Sequence, residues 1–267
     1  MTDEILGGGL ANFGQVVRRG DVVERPAPPH AVALHTYLRT LHNAGFDGAP
    51  EPKELNGDRE VLSFVPGDVA VPPFPAWSRT DEALASVGQL LRHMHDVAAR
   101  VPIPDADWPT EFADPEAKNG RDLVLCHNDV CHENVVFRNG EAAALIDFDF
   151  AAPGRPLWDL AFCAWYWVPT VPAPIAAVEG LDGLDAPSRL RVLADAYGLD
   201  EAGRHALVDL LPAVTATCRK FVNGRVAAGD PVFTKINADL DPQRWDKIQA
   251  WLAAHREEFL AALGVLN

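Results

Sequence analysis

The apolar positions of this chain fall into two regimes. Up to about residue 67 they come in short runs separated by turn residues, and beyond residue 80 they recur mostly with helical period. In the first regime, residues 8–25 read as two short strands around the turn Arg19-Gly20-Asp21. Residues 31–44 then space Val32, Leu34, Leu38 and Leu41 along one face of a helix. A strand is expected at 52–55, then the turn Asn56-Gly57-Asp58, then a firmer strand at 60–65 that Pro66-Gly67 stops. In the second regime, Thr80 caps an amphipathic helix over 80–99. Its stripe is Leu84, Val87, Leu90, Leu91, Met94 and Val97, and Asp81 and Glu82 sit in its first turn. Further helices are predicted over 157–167, 189–197, 201–226 (with a break near Pro212) and 242–263. The Pro/Gly-rich segment 168–187 is a candidate lid or substrate loop. The pattern predicts an α+β protein of two lobes: a small mixed-sheet lobe over 1–67 and a larger, mainly helical one over 68–267.

Between the regimes lies a stretch with its own pattern, residues 123–149. It reads as an apolar strand at 123–126, a polar loop from His127 to Glu133, a strand at 134–137, the hairpin turn Asn139-Gly140 and a strand at 142–146. A two-residue loop at Asn139-Gly140 pairs Arg138 with Glu141, Phe137 with Ala142 and Asn134 with Leu145. Asn134 and Asp147 then share a face as diagonal neighbours, about 7–8 Å apart, close enough to converge on one cation. Asp129 lies in the loop at the same open end, so two carboxylates and an amide gather where a compact domain rarely buries charge without a reason.

Charge and composition narrow the function. A net charge of −15 and the lack of any dense Lys/Arg stripe exclude a nucleic-acid surface. An acidic surface suits a cationic partner as well as plain solubility. The four cysteines form no CxxC pair, which suits a reducing compartment. The N-terminus has no signal-peptide pattern, and no run approaches the 18 or so apolar residues of a membrane span; a cytoplasmic protein without membrane contact is expected. Cys126, His127, Cys131 and His132 invite a zinc reading but lack the usual ligand spacing. Trp158, Trp165 and Trp167 read as core, and His93 and His95 as helix-surface or interface residues. The glycines at 7, 8, 9 and 14 make a loop whose amides could approach phosphates.

These residues resemble the aminoglycoside phosphotransferase family, which shares the protein-kinase-like fold with choline kinases and related small-molecule kinases. The segment from His127 to Asn134 matches the family's H-x-D-x-x-x-x-N loop, Ile146-Asp147-Phe148-Asp149 its I-D-F/W segment and Trp158-Asp159-Leu160-Ala161 its W-D-L-A helix start. Gly8-Gly9 with Asn12, Arg25 after Val22-Val23, and Phe64-Val65-Pro66-Gly67 agree with its nucleotide lobe and linker. The resemblance implies ATP as co-substrate (GTP is not excluded) and Mg²⁺ as cofactor. The phosphate acceptor would be a small molecule's hydroxyl, on an aminoglycoside or other cationic sugar-like compound, and the protein a monomer or homodimer. Asp129 is then the catalytic residue and Asn134 and Asp147 are metal ligands. Gly8, Gly9, Asn12, Arg25, Phe64 and Val65 bind the nucleotide. His127 and Asp159 are structural supports. Asp149 is a second candidate for metal or substrate, on the face of Asp147 if the strand continues. One family feature is absent: 31–40 holds no Glu to pair with Arg25, and His30 and His35 stand there instead. A housekeeping sugar, nucleoside or choline-type kinase and a catalytically weak nucleotide-binding regulator are the alternatives.

Overall fold

The computed structural model describes residues 3–7, 14–117 and 122–266. Gly8, Gly9 and Asn12 lie outside these described residues. The N-terminal part is one sheet of five strands: β1 (Glu4–Ile5), β2 (Val17–Arg19), β3 (Val22–Pro26), β4 (Pro52–Asn56) and β5 (Arg59–Ser63), in the order β1-β2-β3-β5-β4. All its pairings are antiparallel, so the lobe's mixed character lies in its helix, α1 (Ala31–Asn43), and not in strand direction. The helix buries Leu34, His35, Tyr37, Leu38 and Leu41, whereas Val32, placed on the apolar stripe by its spacing, is 70% exposed. His35 takes an inner position because its ring reaches Glu60 of β5, with Nε2 2.7 Å from the carboxylate.

Gly67 ends the strand-rich part with φ of 147°, and a Cβ there would stand 2.5 Å from the carbonyl oxygen of Phe137. That close approach lets Asp68 and Phe137 exchange two backbone hydrogen bonds of 2.9 and 2.8 Å, so the linker is stitched to the hairpin of the second part.

The second part packs helices around short sheet fragments. Helix α2 (Asp81–Ala98) starts where predicted, and the Thr80 hydroxyl accepts from the Ala83 amide at 3.1 Å. Two two-stranded ladders follow: β6 (Val124–Cys126) with β9 (Ala152–Gly154), and β7 (Val135–Arg138) with β8 (Glu141–Leu145). Helices α3 (Pro156–Trp167), α5 (Ala186–Tyr197), α6 (Glu201–Ala227) and α8 (Arg244–Ala262) complete the bundle, with α2 against α5, α3 against α6 and α6 against α8. The predicted break at Pro212 is absent: α6 runs through it, held by buried Leu207, Val208, Leu211 and Val214. A short α4 (Ala173–Val178) lies within the predicted loop 168–187. Helix α7 (Pro231–Asp239) was not foreshadowed, because none of its residues is buried and so it carries no core stripe.

The hairpin register departs from the expected one. Phe137 pairs with Ala142 and Arg138 with Glu141 as predicted, but a bulge before them sets Val136 against Ala144 and Val135 against Leu145. Asn134 leaves the ladder and sits in a 3₁₀ turn. Trp158 and Trp167 are fully buried as expected, whereas Trp165 is half-buried at a cleft wall and stacks on Trp245. No helix among the described residues is long and apolar enough to cross a membrane.

His132 is 2% exposed and stacked between Phe74 at 4.0 Å and Trp167 at 3.9 Å. Burial, then the nearby Arg189 charge, push its pKa down to about 3. Unfolded, it regains an ordinary value near 6.5, so below that pH the unfolded chain binds the extra proton and stability is lost as pH falls. Urea unfolding of wild type and His132→Phe should diverge below pH 6.5 by up to about 1.4 kcal/mol per pH unit, the variant having the flatter profile.

Candidate active site

The site is built on a fully buried carboxylate, Asp159, in the first turn of α3. Its oxygens accept from the backbone amides of His127 at 2.7 Å and Asn128 at 2.8 Å. His95 Nε2 lies 3.0 Å from the same carboxylate, and His95 Nδ1 lies 2.7 Å from the Tyr197 hydroxyl. Burial works to raise the Asp159 pKa, but the His95 bond and the neighbouring histidines hold it below the ordinary range. His95, expected at a helix surface or interface, is 3% exposed and belongs to this interior network. His127 reaches the Ile146 carbonyl at 3.0 Å, and burial pushes its pKa down. Asn128 adopts φ of 62° and donates to the Phe150 carbonyl at 3.0 Å. The loop after β6 is thereby reversed and Asp129 is aimed into a cleft.

Two side chains orient Asp129. The Tyr166 hydroxyl donates to Oδ1 at 2.7 Å, and Asn134 Nδ2 donates to Oδ2 at 2.9 Å. Burial pushes the Asp129 pKa up to about 7, and the Tyr166 bond pulls the other way. Tyr166, one turn beyond Phe162 on α3, carries no recognisable signal in the sequence; only its place on the buried helix brings it to the loop.

The third cluster joins the sheet to the hairpin exit. Arg25 on β3 is 6% exposed and donates through Nε to Glu60 at 2.7 Å, through Nη1 to Asp147 at 2.7 Å and through Nη2 to Asp149 at 2.6 Å. Burial alone would lower its pKa, but the charges of Asp149, Asp147 and Glu60 raise it well above the ordinary value. Glu60 is the acid missing from 31–40. It stands opposite Arg25 in the β3–β5 register, fully buried, and His35 Nε2 lies 2.7 Å from its second oxygen. Cross-strand pairing was the available signal. The expected strand continuation at Asp147 does not occur: Asp147 adopts φ of 64°, and a 3₁₀ turn over Phe148–Phe150 returns Asp149 to Arg25.

Asp129, Asn134, Asp147 and Asp149 form the floor of a cleft of about 800 Å³. Its donor set at this end is three carboxylates and an amide, hard oxygen groups of the kind that hold Mg²⁺ beside phosphates. The upper walls are aromatic, among them Phe74, Phe150, Trp165 and Trp245. Phe64 and Val65 stand half-buried after β5, with the Arg18 guanidinium 3.7 Å over the Phe64 ring, and neither lines the cleft. Cys126, His127, Cys131 and His132 form no three-residue cluster among the described residues. The grouping that does occur, His95, Cys126 and Asp159, is the hydrogen-bonded interior already described.

A helical part bearing a carboxylate loop, capped by a small sheet whose buried cation reaches the acidic turn after the hairpin, is the architecture of the protein-kinase-like phosphotransferases. The sequence pattern of the phosphotransferase enzyme family matches residues 14–193, and the chain belongs to that family. It is 32% identical over 273 residues to the trifolitoxin immunity protein of Rhizobium leguminosarum bv. trifolii, covering 98% of this chain and 100% of that protein. Among solved structures it is similar to a choline/ethanolamine kinase family protein from Mesorhizobium loti, with a TM-score of 0.63, 17% identity and coverage of 100% of this chain and 92% of that one. It is also similar to an amicoumacin kinase in complex with AMP-PNP, Ca²⁺ and Ami, with a TM-score of 0.61, 15% identity and coverage of 96% and 87%. The fold is α+β, two-lobed and protein-kinase-like.

Removing one member of a buried ion cluster leaves the others uncompensated, a loss of about 3–5 kcal/mol. Glu60→Ala should therefore lower stability by roughly that amount in urea unfolding, while the isosteric Glu60→Gln, which keeps the hydrogen bonds, should lose less.

Proposed function

We propose that the chain transfers the γ-phosphoryl group of ATP, with Mg²⁺, to a hydroxyl of a small molecule bound in the cleft. The observation that carries this reading is Asp129, held at both oxygens by Tyr166 and Asn134 and facing the cleft floor beside Asp147 and Asp149. In the transfer, the acceptor oxygen bonds to the γ-phosphorus as the bond from that phosphorus to the β,γ-bridging oxygen breaks. ADP departs, and the hydroxyl proton passes to Asp129. Phosphoryl transfer asks mainly for positioning and charge neutralisation.

Each cluster has a role in that scheme. Tyr166 and Asn134 set the direction of the Asp129 carboxylate. Asp147 and the Asn134 amide oxygen would hold the metal, with Asp149 as a further oxygen donor, and the metal would neutralise phosphate charge. Arg25, fixed by Glu60, is a cation within reach of the same carboxylates and suited to phosphate oxygens. Residues 1–67 would hold the nucleotide, with Gly8, Gly9 and Asn12 along its phosphates and Phe64 and Val65 near its base. Residues 68–267 would hold the acceptor. ATP as co-substrate places the reaction in the cytoplasm. The likeness to an immunity protein supports a protective role, in which phosphorylation disarms a toxic compound. An aminoglycoside or another cationic sugar-like acceptor is the class the family resemblance suggests.

Asp129→Asn should lower kcat by about 10²–10⁴-fold, the range for losing a positioned general base, while Mg²⁺–ATP affinity measured by displacement of a fluorescent ATP analogue stays unchanged. A variant retaining the wild-type rate would overturn the mechanism. Tyr166→Phe should lower kcat by about tenfold, with a smaller change in acceptor KM, because the lost hydrogen bond is worth about 1.5 kcal/mol or more to a charged group. Tight nucleotide binding with no transfer to any hydroxylic compound in a broad panel would favour the regulator reading.

A further inference from the structure

The cleft walls away from Asp129 describe the molecule they would accept, an inference that rests on the phosphotransferase reading of the same site. Five carboxylates line the cleft among the described residues: Asp129, Glu133, Asp147, Asp149 and Glu179. The first four lie at the reaction end, where Tyr166 and Asn134 hold Asp129 and Arg25 holds Asp147 and Asp149. Glu133 directly precedes Asn134 in the same 3₁₀ turn, at that reaction end. Glu179 alone stands in the outer part, and it is ion-paired with Arg244.

The cations of the outer part are themselves built into the wall. The Arg244 guanidinium lies 4.6 Å over the Trp245 ring, and Arg225 packs 5.6 Å over Phe221 and 5.5 Å over Phe233. Trp165 stacks on Trp245 with 22° between the rings, and Phe221 meets Phe233 edge-on with centroids 5.3 Å apart. A polycation entering here would lose its hydration against aromatic faces and two arginines, and the carboxylate of this outer part, Glu179, is already paired with Arg244. A flat apolar body would meet several rings able to stack on it.

We propose that the cleft takes as phosphate acceptor a hydroxylated molecule built on an aromatic or other flat apolar scaffold and carrying at most one formal charge, in place of a polycationic amino sugar. These walls favour such a scaffold over the cationic acceptor expected from net charge and the family resemblance, because the carboxylate among them, Glu179, is paired with Arg244.

The test compares two probes by isothermal titration calorimetry on the full chain with Mg²⁺ and AMP-PNP: chloramphenicol, a neutral aryl diol, and kanamycin, a polycation. Chloramphenicol should bind at least about tenfold more tightly, and Trp165→Ala and Phe233→Ala should each weaken it several-fold to about tenfold, as the loss of a ring contact predicts. Arg225→Glu, which replaces a cation of the wall by a carboxylate, should shift the preference toward kanamycin. Thermal melts check that each variant is folded. Tighter kanamycin binding, no measurable chloramphenicol binding, or chloramphenicol affinity unchanged in both alanine variants would overturn the inference. γ-Phosphate transfer from ATP is measured on the same probes. Transfer to kanamycin alone would uphold the phosphotransferase reading and overturn the acceptor class. Chloramphenicol binding as described, without transfer to it or to other aryl alcohols, would uphold the acceptor class and count against the phosphotransferase reading.

Discussion

A single guanidinium ties this molecule together. Arg25 belongs to the small sheet, yet three of its nitrogens point at carboxylates, and two of those carboxylates belong to the helical part. An arginine this deeply buried is stable only if its charge is answered on several sides. The planar fork of the guanidinium can address three acceptors at fixed angles, which a lysine ammonium cannot do with the same directionality. The relative placement of the sheet and the turn that follows the hairpin is thus set by an electrostatic requirement, reinforced by the two backbone bonds between Asp68 and Phe137. Those carboxylates are also the oxygen donors suited to a metal, so the contact that joins the lobes and the contact that would meet phosphate are made by the same groups.

Asp159 does for the loop that carries Asp129 what Arg25 does for the lobes. A loop that turns back sharply must find partners for its amides, and in an apolar interior unpaired amides are costly. Asp159 answers two of them, and His95 with Tyr197 behind it holds the carboxylate in place. Asp129 can then be both buried and aimed, which raises its pKa toward neutrality without letting it find a cation of its own.

Much of this was legible in the residues. The helices at 31–44, 80–99, 157–167 and 189–197 follow from apolar spacing and agree with the structure to within a few residues. The hairpin turn at Asn139-Gly140 is local chemistry, and Asp129, Asn134, Asp147 and Asp149 do line one cleft. The bulge before Phe137 was not legible, since a two-residue turn constrains only the pairs beside it. Helix α7 was hidden because its residues bury nothing, and β9 because three residues, one of them proline, carry no period.

What the amino-acid sequence determined by itself is whatever depends on near neighbours: helix and strand periods, the capping of α2, the hairpin turn and the compact polar loop with its acidic exit. Only the tertiary structure decided that Glu60 answers Arg25, that Tyr166 orients Asp129, and that Trp165, Phe221, Phe233 and Trp245 gather in one cleft wall. These contacts join positions far apart in the chain, up to 124 residues in the case of Arg25 and Asp149. No local period encodes such a meeting, because it arises from how helices and sheet pack to bury their apolar faces, and the polar groups must then find one another within the geometry that packing leaves.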